Sequence, residues 1–265
     1  FLQLVITIVF FDSLWIKTNK GMTKALVNEI STFIEVYNNE NYNKEEITNL
    51  SKDQILTTIL EANLFPFFRQ RPFNSVPDHK IKPRDIFISG LNTAPLAADL
   101  EVVLAQQLED FQAGVDVISK LTDGDVYLTT KTNSVLSSIQ NVNLNTINGP
   151  HPAGNVGVQI HHIDPINSGE RVWTLGAEDV AIIGRYFMTG IYNPIRTIAV
   201  SGPPVKYPQY YKTIVGTELK KIIEDAGINS NDSLRIINGD VLTGSKVDQD
   251  NYLGFYNNTL SVLRE

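Results

Sequence analysis

Between residues 85 and 187 the sequence switches repeatedly between strand-length and helix-length apolar patterns, and this alternation restricts the fold more than any other feature. Asp85-Ile86-Phe87-Ile88-Ser89-Gly90 is a short apolar strand. Pro95 to Leu108 reads as a helix, with Pro95 acceptable in a first turn. Phe111 to Leu121 reads as a second helix, ended by Gly124. Val126-Tyr127-Leu128 is a strand, and Val156 to Ile163 and Arg171 to Thr174 read as two more. Glu178 to Phe187 reads as a helix with Val180, Ile183 and Phe187 on one face and Gly190 just past its end. Such alternation predicts an α/β layer structure.

The flanking regions differ. Ser51 and Gln54 have the spacing of a capping box, Leu50 and Ile55 that of a hydrophobic staple. Ile55, Leu56, Ile59 and Leu60 then form one helical stripe, with Pro66 as its stop. Phe67 to Phe73 reads as an aromatic and basic loop. After residue 190, Arg196 to Val200, Tyr210 to Val215, Leu234 to Ile237, Val241-Leu242 and Leu260 to Leu263 are strand-like. Thr217 is placed to cap a helix, Glu218 to Ala226, closed by Gly227. Several strands around one helix predict a small α+β module of the β-grasp kind. At the other end, Leu2, Leu4, Ile6 and Ile8 alternate as in a strand, and a strand at residue 1 reads as a chain cut inside a larger protein. Met22 to Tyr37 has helical spacing, and Asn38 to Asn43 reads as a loop. The expected division is 1–49, 50–190 and 191–265.

Charge and composition remove several functions. The formal net charge is −7, against the basic face that nucleic acid demands and against electrostatic adsorption to an anionic leaflet. Docking on a membrane protein through an apolar patch stays open. The chain has no cysteine, which excludes disulfides, thiolate nucleophiles and cysteine-ligated iron–sulfur clusters. The apolar start, Phe1 to Phe11, is too short to span a bilayer.

Gly149 to Pro165 holds three of the four histidines. It has the look of a metal site, yet His161 and His162 would face opposite sides of a strand. With His151 and Asp164 at most three ligands assemble, where closed zinc sites use about four. The glycines of this run lead into an expected strand, not a helix, so no helix-start anion site is expected. Gly90-Leu91-Asn92-Thr93-Ala94-Pro95 carries one glycine where a dinucleotide fingerprint needs three, and no Walker loop or nucleophile elbow is present.

Several segments nonetheless fall in the order of a known family: Phe68-Arg69-Gln70-Arg71-Pro72-Phe73, Asp85 to Ser89, Asn92-Thr93-Ala94-Pro95-Leu96-Ala97, Phe111-Gln112-Ala113-Gly114-Val115-Asp116, Gly149 to Asp164, Ser201-Gly202-Pro203, Asn238 to Gly244 and Tyr252-Leu253-Gly254. Over residues 50–265 the chain resembles the A-subunit of the bacterial sodium-translocating NADH:quinone oxidoreductase, itself similar to the flavin subunit of respiratory complex I. The resemblance implies a Rossmann-like α/β domain followed by a β-grasp module, with residues 1–8 similar to the last strand of a barrel-sandwich domain. It implies a peripheral protein on the cytoplasmic face of the inner membrane, beside the membrane-embedded B-subunit. Quinone is the implied ligand, and FMN, FAD, riboflavin and iron–sulfur centres are expected on partner subunits. In place of the relative's glycine-rich flavin loop stands Arg71-Pro72-Phe73-Asn74. Pro72 lacks an N–H and Phe73 would block close backbone approach, so the resemblance implies a lost flavin site and no cofactor on this chain. Arg69, Arg71, Phe73, His151 and His162 are the candidate quinone-binding residues. Two other readings compete: an assembly platform without a ligand, and a flavin- or NADH-binding dehydrogenase in its own right.

Overall fold

The computed structural model describes residues 41–228 and 233–265. The readings made for residues 1–37 lie outside them. Among the described residues the chain forms two compact units, one of residues 41–94 with 99–193, the other of 95–98 with 194–265.

The first unit opens with two short helices, α1 (Lys44–Asn49) and α2 (Lys52–Glu61), each set by a reciprocal capping box: Asn43 with Glu46, Ser51 with Gln54. Ile47, Ile55 and Ile59 are their buried residues. Helix α2 ends at Glu61, before Pro66, where Asn63 takes a left-handed φ of 56°. Pro66 itself is the second residue of a 3-10 turn, Phe65–Phe67. The expected aromatic and basic loop then becomes a strand, β1 (Arg69–Arg71), because its backbone pairs antiparallel with β5 (Val172–Gly176). The remaining strands are β2 (Ile86–Ser89), β3 (Val126–Thr130) and β4 (Asn143–Thr146). The sheet order is β1-β5-β2-β3-β4, with β5, β2, β3 and β4 parallel. The expected helix Pro95–Leu108 is divided. Asp99 caps a short α3 (Leu100–Leu104), and a second helix, α4 (Leu108–Ile118), follows. Leu96 has φ 64°, which a continuous helix excludes.

The main correction concerns Val156–Ile163, expected as a strand and found as helix α5. Val156, Val158 and Ile160 alternate, but Val156, Ile160 and Ile163 also recur at i, i+4, i+7. The helical period wins because those three side chains pack together with Phe87 and Val172 on one face of the sheet. On the opposite face Ile86 and Ile88 are fully buried. Helix α6 (Ala177–Thr189) packs on β5 and tightly on α4, and Gly190 closes it in a left-handed conformation.

The second unit is a five-stranded sheet, order β7-β6-β10-β8-β9, from β6 (Ile195–Ser201), β7 (Gln209–Ile214), β8 (Leu234–Asn238), β9 (Ser245–Val247) and β10 (Thr259–Arg264). Only the β6–β10 pair is parallel. Helix α7 (Leu219–Asp225) covers one face, joining Leu219, Ile222 and Ile223 to Ile198, Val200, Leu260 and Val262. Thr217 does not cap it; its hydroxyl donates to Ile214 O at 2.6 Å. Val241-Leu242 is a turn, not a strand, because the Asp240 carboxylate accepts from Leu242 N and Thr243 N at 2.8 and 2.9 Å.

Candidate functional site

In the first sheet the chain passes from β2 to β3 on one side and returns to β5 on the other. In open sheets of parallel strands a ligand crevice forms outside the carboxyl ends at such a reversal. Here that crevice lies beyond Ser89 and Gly176, which pair in register.

The loop preceding α5 packs against it. Gly154 N donates to Thr93 Oγ1 at 2.8 Å, and a Cβ on Gly154 would stand 2.5 Å from Thr93 N. His151 Nδ1 lies 3.4 Å from the same hydroxyl. Beneath them the buried Gln159 donates through Nε2 to Ser89 Oγ at 3.2 Å and to Ala153 O at 3.4 Å. Gln159 Oε1 is buried with no hydrogen-bond partner. On the β5 side, Glu178 and Asp179 are buried in the first turn of α6. Acidic side chains in a first turn suit the positive end of the helix dipole. The run Gly149 to Asn155, expected to lead into a strand, leads instead into the N-terminus of α5, where Asn155 makes no side-chain cap.

The five candidate residues do not gather around one point. His151 stands at the carboxyl-end crevice. Arg69 and Arg71 alternate along β1 and share the sheet face that α5 covers, because Arg69 pairs with Thr174 and Arg71 with Val172. That register sends the turn after Arg71, with Phe73, past the first residue of β5, at the opposite end of the sheet from His151. Phe73 is exposed. His161 and His162 are both exposed on α5, rings 5.3 Å apart, side by side on a helix rather than on opposite faces of a strand. Among the described residues no group of three or more His, Asp or Glu side chains is gathered to hold a metal ion.

At that opposite end a second polar group assembles. Arg84 donates to Asp85 at 2.6 Å, lies 3.0 Å from the Asp164 carboxylate and pairs with Glu170. Asp85 Oδ1 accepts from Asp125 N at 2.8 Å. Tyr127 donates to Asp125 at 3.3 Å, and burial, followed by the charges of Asp125, Asp85 and Asp164, pushes its phenol up to about 12. The single arginine pairs with three carboxylates where strands begin, an arrangement that ties the loops at this end together.

Sequence reasoning missed Ser89, Thr93 and Gln159 as members of the crevice. Thr93 and Gly154 belong to motifs of the family pattern, but only the fold shows that they touch. Gln159 was hidden by the strand reading of α5, since a strand would have sent it away from Ser89.

Fold and site together define a two-unit mixed α/β protein whose first unit carries a mostly parallel sheet. The family model described as "NqrA second alpha/beta domain" matches residues 50–192, more than half of the chain, and "NQRA C-terminal domain" matches 197–249. The chain belongs to the NqrA family, the A-subunits of the Na(+)-translocating NADH-quinone reductase. The NqrA proteins of Marinomonas sp., Photorhabdus laumondii and Vibrio atlanticus are 38%, 35% and 33% identical to it over 84%, 93% and 94% of its length. Those alignments cover 50%, 56% and 56% of the relatives, so the chain spans about half the length of the curated proteins it matches. Two crystal structures of an NAD+-reducing [NiFe]-hydrogenase, H2-reduced and air-oxidized, align with TM-scores of 0.54 and 0.55 at 12% and 13% identity. They cover 83% and 84% of this chain and 47% and 49% of theirs, a likeness of fold alone. Among the described residues no helix is long and apolar enough to cross a membrane.

Proposed function

We propose that this chain is a cofactor-free portion of NqrA in a sodium-pumping NADH:quinone oxidoreductase, and that it helps to build or gate the quinone site beside the membrane-embedded B-subunit. On this reading the first unit is Rossmann-like and the second a β-grasp module. The protein rests on the cytoplasmic face of the inner membrane, and FMN, FAD, riboflavin and iron–sulfur centres belong to its partners. The observation that supports the cofactor-free part is the contact of Gly154 with Thr93, which brings the loop before α5 against the end of β2. A protein whose side chains hold no redox carrier contributes to electron transfer by positioning.

His151 is the candidate that stands where a quinone would be met. With the Thr93 hydroxyl donating to Nδ1, the ring proton sits on Nε2, which would donate to a quinone carbonyl. In the assembled complex His151→Ala is expected to raise the KM for quinone several-fold, the worth of one hydrogen bond of about 1 kcal/mol, with the stoichiometry of the complex unchanged. The decisive test is a photoreactive quinone applied to the whole complex. Label on NqrA near His151 supports the reading; label confined to the membrane-embedded partner removes it. The purified chain should show no flavin absorption, and a stoichiometric yellow chromophore would restore the dehydrogenase reading.

A further inference from the structure

Among the described residues Phe73 is the most exposed large apolar side chain, at 80%. A single exposed phenylalanine is ordinary; its setting is not. The turn that carries it is fixed at its base. Gln70 N donates to Ser75 O at 2.7 Å, and Arg69 donates to both the backbone and side-chain oxygens of Asn74. Val76, just past the turn, is exposed as well. Arg71 stands at its root. No carboxylate among the described residues pairs with it, and its Nε is buried with no hydrogen-bond partner. Burial, then the charge of Arg69, hold this guanidinium below its ordinary value. A turn that projects its ring outward cannot enclose a ligand. It is shaped to be received.

We propose that the Arg69–Val76 turn is the anchor by which this chain docks on a protein partner, with an apolar socket for Phe73 and a carboxylate for Arg71 on the receiving surface. The inference rests on reading the chain as part of a multi-subunit complex, and it moves Arg69, Arg71 and Phe73 from ligand binding to assembly. Charge complementarity selects the occupant. A half-buried guanidinium without an acidic neighbour gains most from a carboxylate brought by the partner. An exposed aromatic on a turn tied at its base, beside an arginine, has the composition of interface hot spots. An anionic bilayer is the weaker match, since the chain carries a net charge of −7.

The test uses the assembled complex, purified through a tag on another of its proteins, with Phe73→Ala, Phe73→Leu, Arg71→Gln and, as an exposed residue of the other unit, Leu242→Ala. Loss of NqrA on washing should be roughly tenfold or more faster for Phe73→Ala and Arg71→Gln. Phe73→Leu should retain much of the anchor, and Leu242→Ala should behave as wild type. Phe73 is solvent-exposed, so Phe73→Ala should also leave the melting temperature of the isolated chain unchanged. Unchanged retention of Phe73→Ala overturns the proposal. So does unchanged retention with a raised KM for quinone, which would return the turn to ligand binding. Loss of binding to anionic vesicles at unchanged retention overturns it in favour of lipid. A wild-type chain that never co-purifies would instead refute the assignment to a complex beneath it.

Discussion

Two glycines set how closely the main helices of the first unit approach. A Cβ on Gly114 of α4 would lie 2.0 Å from Val180 O of α6, and one on Gly184 of α6 would lie 1.9 Å from Asp110 O. Both obstacles are backbone atoms, which cannot rotate away. Gly114→Ala should therefore cost about 3 kcal/mol, the upper range of overpacking, which is a fall of roughly 6–12 °C in melting temperature for a unit of this size. Calorimetry of the variant measures it, and a shift within about 1 °C of wild type would show that the helices can separate freely. Glu170 gives a second prediction. The Asn167 N–H donates to it, and the Arg84 charge adds to this, so its carboxyl sits below the ordinary glutamate value of 4.5. A carboxyl depressed by folding stabilises the native state above its unfolded value, and that stability is lost as pH falls through the folded value. Glu170→Gln should accordingly be less stable than wild type at neutral pH. The gap should close as pH drops below about 4.5, as followed by denaturation midpoints across pH. A gap that widens in acid would contradict the assignment.

At the scale of elements, local chemistry decided some segments and tertiary pairing overrode it in others. Helix α2 was readable because Ser51 and Gln54 satisfy each other's backbone donors within four residues. Ser51→Ala should lower stability by about 1 kcal/mol, seen as a reduced denaturation midpoint at unchanged slope; an unchanged midpoint would mean that the helix start is held by packing alone. The same signature stands at Asn43 and Glu46, where Asn43 N donates to Glu46 at 2.8 Å and Glu46 N to Asn43 at 2.9 Å. It passed unread because asparagine-rich sequence weighs toward loop. Strands β1 and β4 could not be read locally. Arg69-Gln70-Arg71 and Asn143-Leu144-Asn145-Thr146 lack apolar alternation, and they are strands because β5 and β3 offer them paired backbones. Helix α5 failed for the opposite reason: its sequence fits both periods, and only the apolar surface of Phe87 and Val172 selects one. The candidate site inherited that error. His161 and His162 exchanged one geometry for another, and Gln159 entered the crevice only as a helical residue.

At the scale of the whole molecule, the two units are interleaved along the chain, and this explains a segment that propensity alone misread. Residues 95–98 leave the first unit and complete the second before Asp99 starts α3. On the sheet face away from α7, Ala98 N donates to Thr259 Oγ1 at 3.1 Å, and Ser201 Oγ donates to Leu96 O at 3.0 Å. Extension of the helix back to Pro95 would consume the Ala98 and Leu96 backbone groups that these contacts use, so the sheet competes with the helix and wins. Thr259 is buried, hence its hydroxyl is the acceptor that keeps a buried amide from being orphaned. Thr259→Val preserves shape and strand preference while deleting that acceptor. It should destabilise by about 1–3 kcal/mol, the cost of leaving a buried donor unmet. Hydrogen exchange at the Ala98 amide is the specific readout: protection should collapse in Thr259→Val and survive in Thr259→Ser, which keeps the oxygen. Equal protection in both variants would mean that Ala98 N is held by something other than Thr259. The joining of residues 95–98 to the sheet would then rest on the Ser201–Leu96 hydrogen bond and on packing, not on Thr259.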